Sequence, residues 1–248
     1  LRPEFFKILK RVRSTWQENI GGPRGKAWCS QTPVSHADLM AALVSFQTIE
    51  RIGYQCAAIA EVERALAENQ RHCLLAMATG TGKTRTVIGL MYRLLKAERF
   101  HRILFLVDRS ALGKQALDAF DEATLEQNHT LSQIYDVKQL GDMVAEAETR
   151  IQVATVQAMV RRIFQSDTPP PVDEFDCIIV DEAQSLPLEL LEEIRLLSNI
   201  ETDDEKLLSV IIAGQPELAD RLNEQALRQF KQRVSLRCML GSLSRAET

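Results

Sequence analysis

The run Met77-Ala78-Thr79-Gly80-Thr81-Gly82-Lys83-Thr84 gathers two glycines, a lysine and hydroxyl side chains into one short loop, a combination suited to holding the phosphates of a nucleoside triphosphate. Gly80 and Gly82 let the backbone wrap closely around an anion, because without a Cβ they adopt dihedrals closed to other residues. The loop amides, those of Thr79 and Thr81 included, can then face the phosphates. Lys83 reaches the β- and γ-phosphates as a point charge, the opening helix adds its positive dipole end, and the Thr84 hydroxyl can complete a Mg2+ shell. About a hundred positions later, Ile178-Ile179-Val180-Asp181-Glu182-Ala183-Gln184 sets two carboxylates at the end of an apolar run. Asp181 is the expected second metal contact, and Glu182 the expected group to orient and polarise an attacking water. Either run alone is matched by a glycine-bearing turn or a solvated acidic strand end. Both together, in this order, predict an ATPase using ATP and Mg2+, with Lys83 and Glu182 as catalytic residues.

Such residues work only if a sheet presents them at one edge. Apolar runs predict strands near 73–77, 103–107, 151–154, 177–180, 208–213 and 233–238. Helical patterns alternate with them near 54–68, 84–97, 111–124, 156–164, 187–199 and 217–230. Strands rich in Ile, Leu and Val without polar alternation are buried on both faces, and alternation with helices makes the sheet parallel and doubly wound. The expected fold is therefore α/β, a three-layer P-loop NTPase with a mainly parallel sheet and helices on both faces, over residues 51–248. Residues 1–50 read as an extension: Phe5, Leu9, Val12 and Trp16 recur at helical spacing, 20–33 is a Gly- and Pro-bearing linker, and 38–48 is a further helix. Thr168-Pro169-Pro170-Pro171 is a connecting loop. The opening at Leu1 reads as that of a fragment.

Met77 stands where the usual first glycine of a phosphate loop would be, and the resulting form resembles motif I of superfamily 2 helicases and translocases. Arg51-Ile52-Gly53-Tyr54-Gln55 looks like the adenine-reading motif of that superfamily, which implies a bidentate contact from Gln55 to the base edge. Ile103 to Arg109 resembles motif Ia, and Val153-Ala154-Thr155-Val156-Gln157 the next nucleic-acid-contacting motif, which implies DNA contacts at Arg109 and Thr155. Leu75 to Arg85, Leu90 to Lys96 and Arg99 to Ala116 are similar to the motor subunit of type I restriction enzymes, so the resemblance covers about residues 51–183. After Ala183 it changes. Gln184 stands where that family carries His, and the segments that follow, including "IIAGQPEL" and Gln229 to Leu240, resemble the AAA+ ATPases of the general secretion pathway and transposition-accessory ATPases, over about 181–248. The second resemblance implies a sensor at Gln215 and an arginine for a neighbour's site, Arg233 or Arg237. Gln215 also reads as a plain turn residue before Pro216.

Charge is unevenly placed in a chain of net charge −4. Residues 71–115 hold nine Lys and Arg against two acidic residues, and 172–205 one Arg against twelve acidic residues. Arg93, Lys96, Arg99, Arg102, Arg109 and Lys114, with Arg161 and Arg162, could meet a phosphate backbone without reading bases, although a solvated helix face explains Arg93 and Lys96 as well. The five cysteines show no metal-ligand spacing and read as reduced thiols. No apolar run approaches the roughly 20 residues that cross a membrane, so a cytoplasmic enzyme without membrane insertion is expected.

Two function classes fit. In one, the chain is the first RecA-like lobe of a motor that moves duplex DNA, with a second lobe and other restriction subunits as partners. In the other, it is an AAA+ ATPase acting as a homo-oligomeric switch. A nucleotide-binding module without turnover is a third. The resemblance to motors that complete their site with arginines from a second lobe implies slow hydrolysis by this chain alone.

Overall fold

Six of the seven strands in the computed structural model arise from the apolar runs. The seven are β1 (His72–Met77), β2 (Ile103–Val107), β3 (Asp136–Gln139), β4 (Thr149–Thr155), β5 (Cys177–Val180), β6 (Ser209–Gly214) and β7 (Leu236–Leu240). The structure describes residues 53–125, 128–139, 148–166, 174–197 and 208–240. The expected N-terminal helices and linker, Arg51 and Ile52, the triple-proline loop and the closing Leu243 to Thr248 lie outside them.

All seven strands form one sheet in the order β3-β4-β2-β5-β6-β1-β7, and every pairing is parallel. The helices are α1 (Gly53–Ala67), α2 (Lys83–Lys96), α3 (Ser110–Glu122), α4 (Leu131–Ile134), α5 (Val156–Gln165), α6 (Leu188–Leu197), α7 (Glu217–Arg221) and α8 (Arg228–Arg233). Alternate residues of each strand face opposite layers. Leu75, Phe105, Val153, Ile179 and Ile211 pack with Val62 of α1, Leu90 of α2 and Phe120 of α3. Leu74, Leu104, Ala154, Ile178 and Val210 pack with Met159 of α5, Leu191 of α6, Leu218 of α7 and Phe230 of α8. Apolar residues at both parities are what a sheet covered on both faces requires. The three-layer expectation holds.

Three local expectations change. β3 carries Asp136, Val137, Lys138 and Gln139 at the sheet edge, half exposed, so it has no apolar signal. The helix expected over 217–230 is broken into α7, a 3-10 turn at Gln225–Leu227, and α8. Leu222, Leu227 and Phe230 are all buried, and an unbroken helix would turn Leu227 about 140° from Leu222, away from the core. The last strand begins at Leu236, after buried Val234.

The basic stretch is spent largely on structure. Arg93 is 2% exposed and donates from Nε and Nη2 to both oxygens of buried Glu63, at 2.5 and 2.7 Å, joining α2 to α1. It is neither a phosphate contact nor a solvated face. Lys96 donates to the Tyr92 hydroxyl at 3.0 Å, Arg99 to the Leu66 carbonyl at 2.9 Å, and Arg102 to the Thr149 carbonyl at 2.9 Å. Among the described cysteines Cys73 and Cys177 are buried, and burial pushes the Cys73 thiol up to about 12, so both strand thiols are inert. Gln152 of β4 is fully buried with neither side-chain polar atom hydrogen-bonded, a cost of about 1–3 kcal/mol within an otherwise apolar layer.

Candidate active site

β1 delivers the phosphate loop and β5 the carboxylates, and β6 lies between them in the sheet. After Met77 the chain turns on itself: the Thr81 amide and hydroxyl donate to the Ala78 carbonyl at 3.3 and 2.6 Å. Gly80 and Gly82 take φ of +81° and +77°, values that L side chains rarely adopt. Gly82 then opens α2, its carbonyl accepting from the Thr86 amide at 2.9 Å. A Cβ on Gly82 would lie 2.2 Å from Gln55 Nε2, so any larger residue there would also displace the Gln55 amide from the loop.

Gln55 is buried in the first turn of α1 and donates Nε2 to the Thr81 carbonyl at 2.7 Å and toward that of Gly82 at 3.4 Å. The structure therefore places it against the back of the phosphate loop, which it helps to shape. Sequence spacing gave no sign of this role.

Asp181 continues β5, its amide donating to the Leu106 carbonyl at 2.9 Å. Glu182 follows in the left-handed region at φ +52°, a strained setting for a non-glycine residue and one found at functional sites. Its amide returns to Asp181 Oδ1 at 2.9 Å. Lys83 Nζ donates to Glu182 Oε1 and lies 3.9 Å from Asp181 Oδ1. Three residues separated by a hundred positions of chain thus converge at one strand edge. Gln184 Nε2 donates to the other Glu182 oxygen, and Gln184 Oε1 accepts from the Gln215 amide at 3.0 Å.

Burial raises the Asp181 carboxyl above its ordinary value; Lys83 and the Glu182 amide oppose the shift and the Glu182 charge adds to it. A carboxyl raised in the folded state binds more protons there than in the unfolded chain, so stability falls as pH rises from the ordinary carboxylate value through the raised one. The ionised form then costs stability at neutral pH. Asp181→Asn should accordingly raise the thermal midpoint of metal-free protein at pH 7, at a scale of roughly 2–4 °C per kcal/mol. Melting curves should show the advantage shrinking as the pH drops through the carboxylate range. A midpoint below wild type at pH 7 would contradict this.

The residues present fit a magnesium-bound triphosphate. The Cβ position of Gly80 meets no atom within 4 Å and Thr79 is exposed, so the loop faces open space. Half-buried Thr84 and buried Asp181 offer one hydroxyl and one carboxylate, the hard oxygen donors that Mg2+ prefers.

The other expected residues lie elsewhere. Arg109 caps α3 with its side chain 79% exposed, its Nε on Asp108 at 3.1 Å. The Thr155 hydroxyl accepts from the Ala158 amide at 3.2 Å as the N-cap of α5. Thr155 and Lys114 line a cleft of about 710 Å3 at the β2–β4 edge, but Asp118, Asp121 and Asp136 line it too. Gln215 sits in the tight turn after β6, its carbonyl accepting from the Leu218 amide at 2.9 Å. Arg233 lines a cleft of about 600 Å3 with Arg71, His72 and Arg195, where β1 begins and hence across the sheet from the phosphate loop. Arg237 is exposed on β7, donating to the Lys231 carbonyl at 3.2 Å. Neither arginine is brought to Lys83 within the chain.

A family model described as "Type III restriction enzyme, res subunit" matches residues 48–206, well over half of the chain. The chain belongs to that family. The chain is 54% identical over 130 residues to the EcoKI type I restriction enzyme endonuclease subunit of Escherichia coli K12, a match covering 52% of this chain and 11% of that protein. It is 32% identical over 188 residues to general secretion pathway protein A of Aeromonas hydrophila, covering 75% and 30%. The second match is longer than the whole stretch 181–248, so likeness to the secretion pathway protein extends back beyond the carboxylate strand; the family model likewise runs forward past it. The fold resembles that of the UvsW helicase of bacteriophage T4, with TM-score 0.54, 18% identity, and coverage of 84% of this chain and 69% of that one. The fold is that of an α/β P-loop NTPase. The chain spans under a third of either relative's length. Among the described residues no helix is long and apolar enough to cross a membrane.

Proposed function

We propose that this chain is an ATP-hydrolysing lobe of a DNA translocase of the type I restriction enzyme kind, the first of two RecA-like lobes. The observation that carries it is the convergence of Lys83 with Glu182 and Asp181 beside a loop bent by Gly80 and Gly82. The amides of the loop and Lys83 bind the triphosphate. Thr84 and Asp181 would hold Mg2+, which neutralises charge developing on the transferred phosphoryl group. Glu182 accepts a hydrogen bond from the attacking water and orients it. Gln55 keeps the loop in its binding shape.

Duplex DNA is the proposed partner, together with a second motor lobe and other restriction subunits. Binding through Arg109, Lys114 and the α5 cap at Thr155 is directed at phosphates and should be weak, because much of the basic stretch is internal and Asp118, Asp121 and Asp136 line the same cleft. Affinity should be insensitive to sequence and fall steeply with salt. Arg109→Glu should weaken it and lower the logarithmic salt slope by roughly one. Fluorescence anisotropy with two unrelated duplexes at several salt concentrations checks this; no binding even at low salt would favour the secretion-type reading.

That second reading, an oligomeric AAA+ switch, draws support from the likeness to the secretion protein over 75% of the chain. It also gains from Arg233, which faces away from its own phosphate loop and so is free to serve a neighbour's. DNA-stimulated turnover separates the two.

A further inference from the structure

Glu182 leads a 3-10 turn, Ala183–Ser185, whose internal bonds fix its shape: the Glu182 carbonyl accepts from the Ser185 amide at 3.0 Å and hydroxyl at 2.7 Å. Those bonds do not fix how the turn sits on the sheet. Three others do. Arg221 of α7 donates Nη1 to the Gln184 carbonyl at 2.6 Å and Nη2 to the Leu186 carbonyl at 2.9 Å, and the Gln215 amide donates to Gln184 Oε1 at 3.0 Å. Gln184 in turn donates from Nε2 to Glu182 Oε2. A line of contact therefore runs from the Arg221 guanidinium through Gln184 to the carboxylate.

The geometry points to Arg221 as a positioning residue for Glu182, acting through Gln184. The inference rests on the reading that Glu182 orients the attacking water. A guanidinium suits the task because its planar fork spans two carbonyls at once, whereas an ammonium offers one compact charge. Gly214 supports the same seat. A Cβ there would lie 2.8 Å from Gln184 Oε1 and 2.6 Å from Leu218 Cδ2, so the end of β6 leaves just enough room for the Gln184 amide to dock. Arg221 contacts neither the phosphate loop nor Lys83 in its assigned bonds, so its loss should leave nucleotide binding alone. Displacing a reacting group by even 1 Å can cost on the order of 100-fold in rate.

The test compares wild type, Arg221→Met, Arg221→Lys and Glu182→Gln. The readouts are single-turnover phosphate release at saturating ATP, the Kd for a fluorescent ATP analogue, and thermal midpoint. Arg221→Met should lower the rate on the order of 10- to 100-fold with Kd within about twofold of wild type. Arg221→Lys should recover part of the rate. A rate lost while Kd and thermal midpoint stay near wild type is a split that a merely structural role would not produce. If Arg221→Met unfolds, Arg221→Lys and Gly214→Ala, which crowds Gln184 from the other side, give the same readout. Undiminished turnover in Glu182→Gln would remove the underlying reading. Loss of turnover there, with full turnover in every folded Arg221 variant, would overturn the positioning role alone.

Discussion

Lys83→Ala should abolish ATP turnover and weaken nucleotide binding, whereas Glu182→Gln should abolish turnover and leave binding intact. Lys83 neutralises phosphate charge in the ground state and in the transition state alike, so its loss removes both kinds of stabilisation. Glu182 matters when water attacks, and its amide replacement cannot take up the developing positive charge on that water. The structure adds a further expectation. Glu182 accepts from Lys83 and from Gln184, one donor on each oxygen, so Glu182→Gln also takes a charge partner away from Lys83. The freed ammonium should hold the triphosphate at least as tightly as wild type does. Equilibrium binding of a fluorescent ATP analogue alongside phosphate release reads both effects. Equal affinity and equal turnover in Lys83→Ala and wild type would remove the assignment of the loop.

Hydrolysis by this chain alone should be slow, and self-association the one intrinsic way to speed it. The phosphate loop faces open space, with Thr79 exposed and no atom near the Cβ position of Gly80, and neither Arg233 nor Arg237 reaches it within the chain. An arginine supplied from outside contributes a factor of roughly 10³ to 10⁵ in phosphoryl transfer, so its absence should dominate the rate. If copies of this chain supply it, turnover per chain should rise with protein concentration, and Arg233→Ala should flatten that rise. If a second lobe supplies it, turnover should stay low at every concentration. Steady-state rates over three decades of concentration distinguish these. Fast, concentration-independent hydrolysis by a monomer would contradict both.

What could be read from sequence followed the range of the forces involved. β1, β2, β5 and β6 are buried on both faces, so apart from His72 and Ser209 at their starts they carry apolar residues or glycine and the runs announce themselves; β3, at the edge with Asp136 and Gln139 exposed, has no such constraint. Lys83, Asp181 and Glu182 were legible because phosphate and metal chemistry demands particular residue types within short local motifs. Arg93 was not, because a charge on a helix reads as solvated until its partner is known, and Glu63 lies 30 positions away on another helix. Arg221 left no signal for the same reason: it reaches carbonyls of Gln184 and Leu186, and any residue type carries a carbonyl. Gln55 was singled out by resemblance to an adenine contact, and its bond to the Thr81 carbonyl shows a second task that spacing alone could not reveal. Gln184 stood out in sequence as a departure from the restriction-enzyme pattern. The structure turns that departure into a link between the carboxylate and the end of β6.

ATP turnover measured with and without duplex DNA, on wild type and Glu182→Gln in parallel, bears most directly on the central claim. The account predicts slow turnover by wild type that rises on adding either of two unrelated duplexes, and none above background in Glu182→Gln under any condition. Turnover indifferent to DNA would contradict the translocase assignment, and turnover that survives in Glu182→Gln would contradict the active site itself.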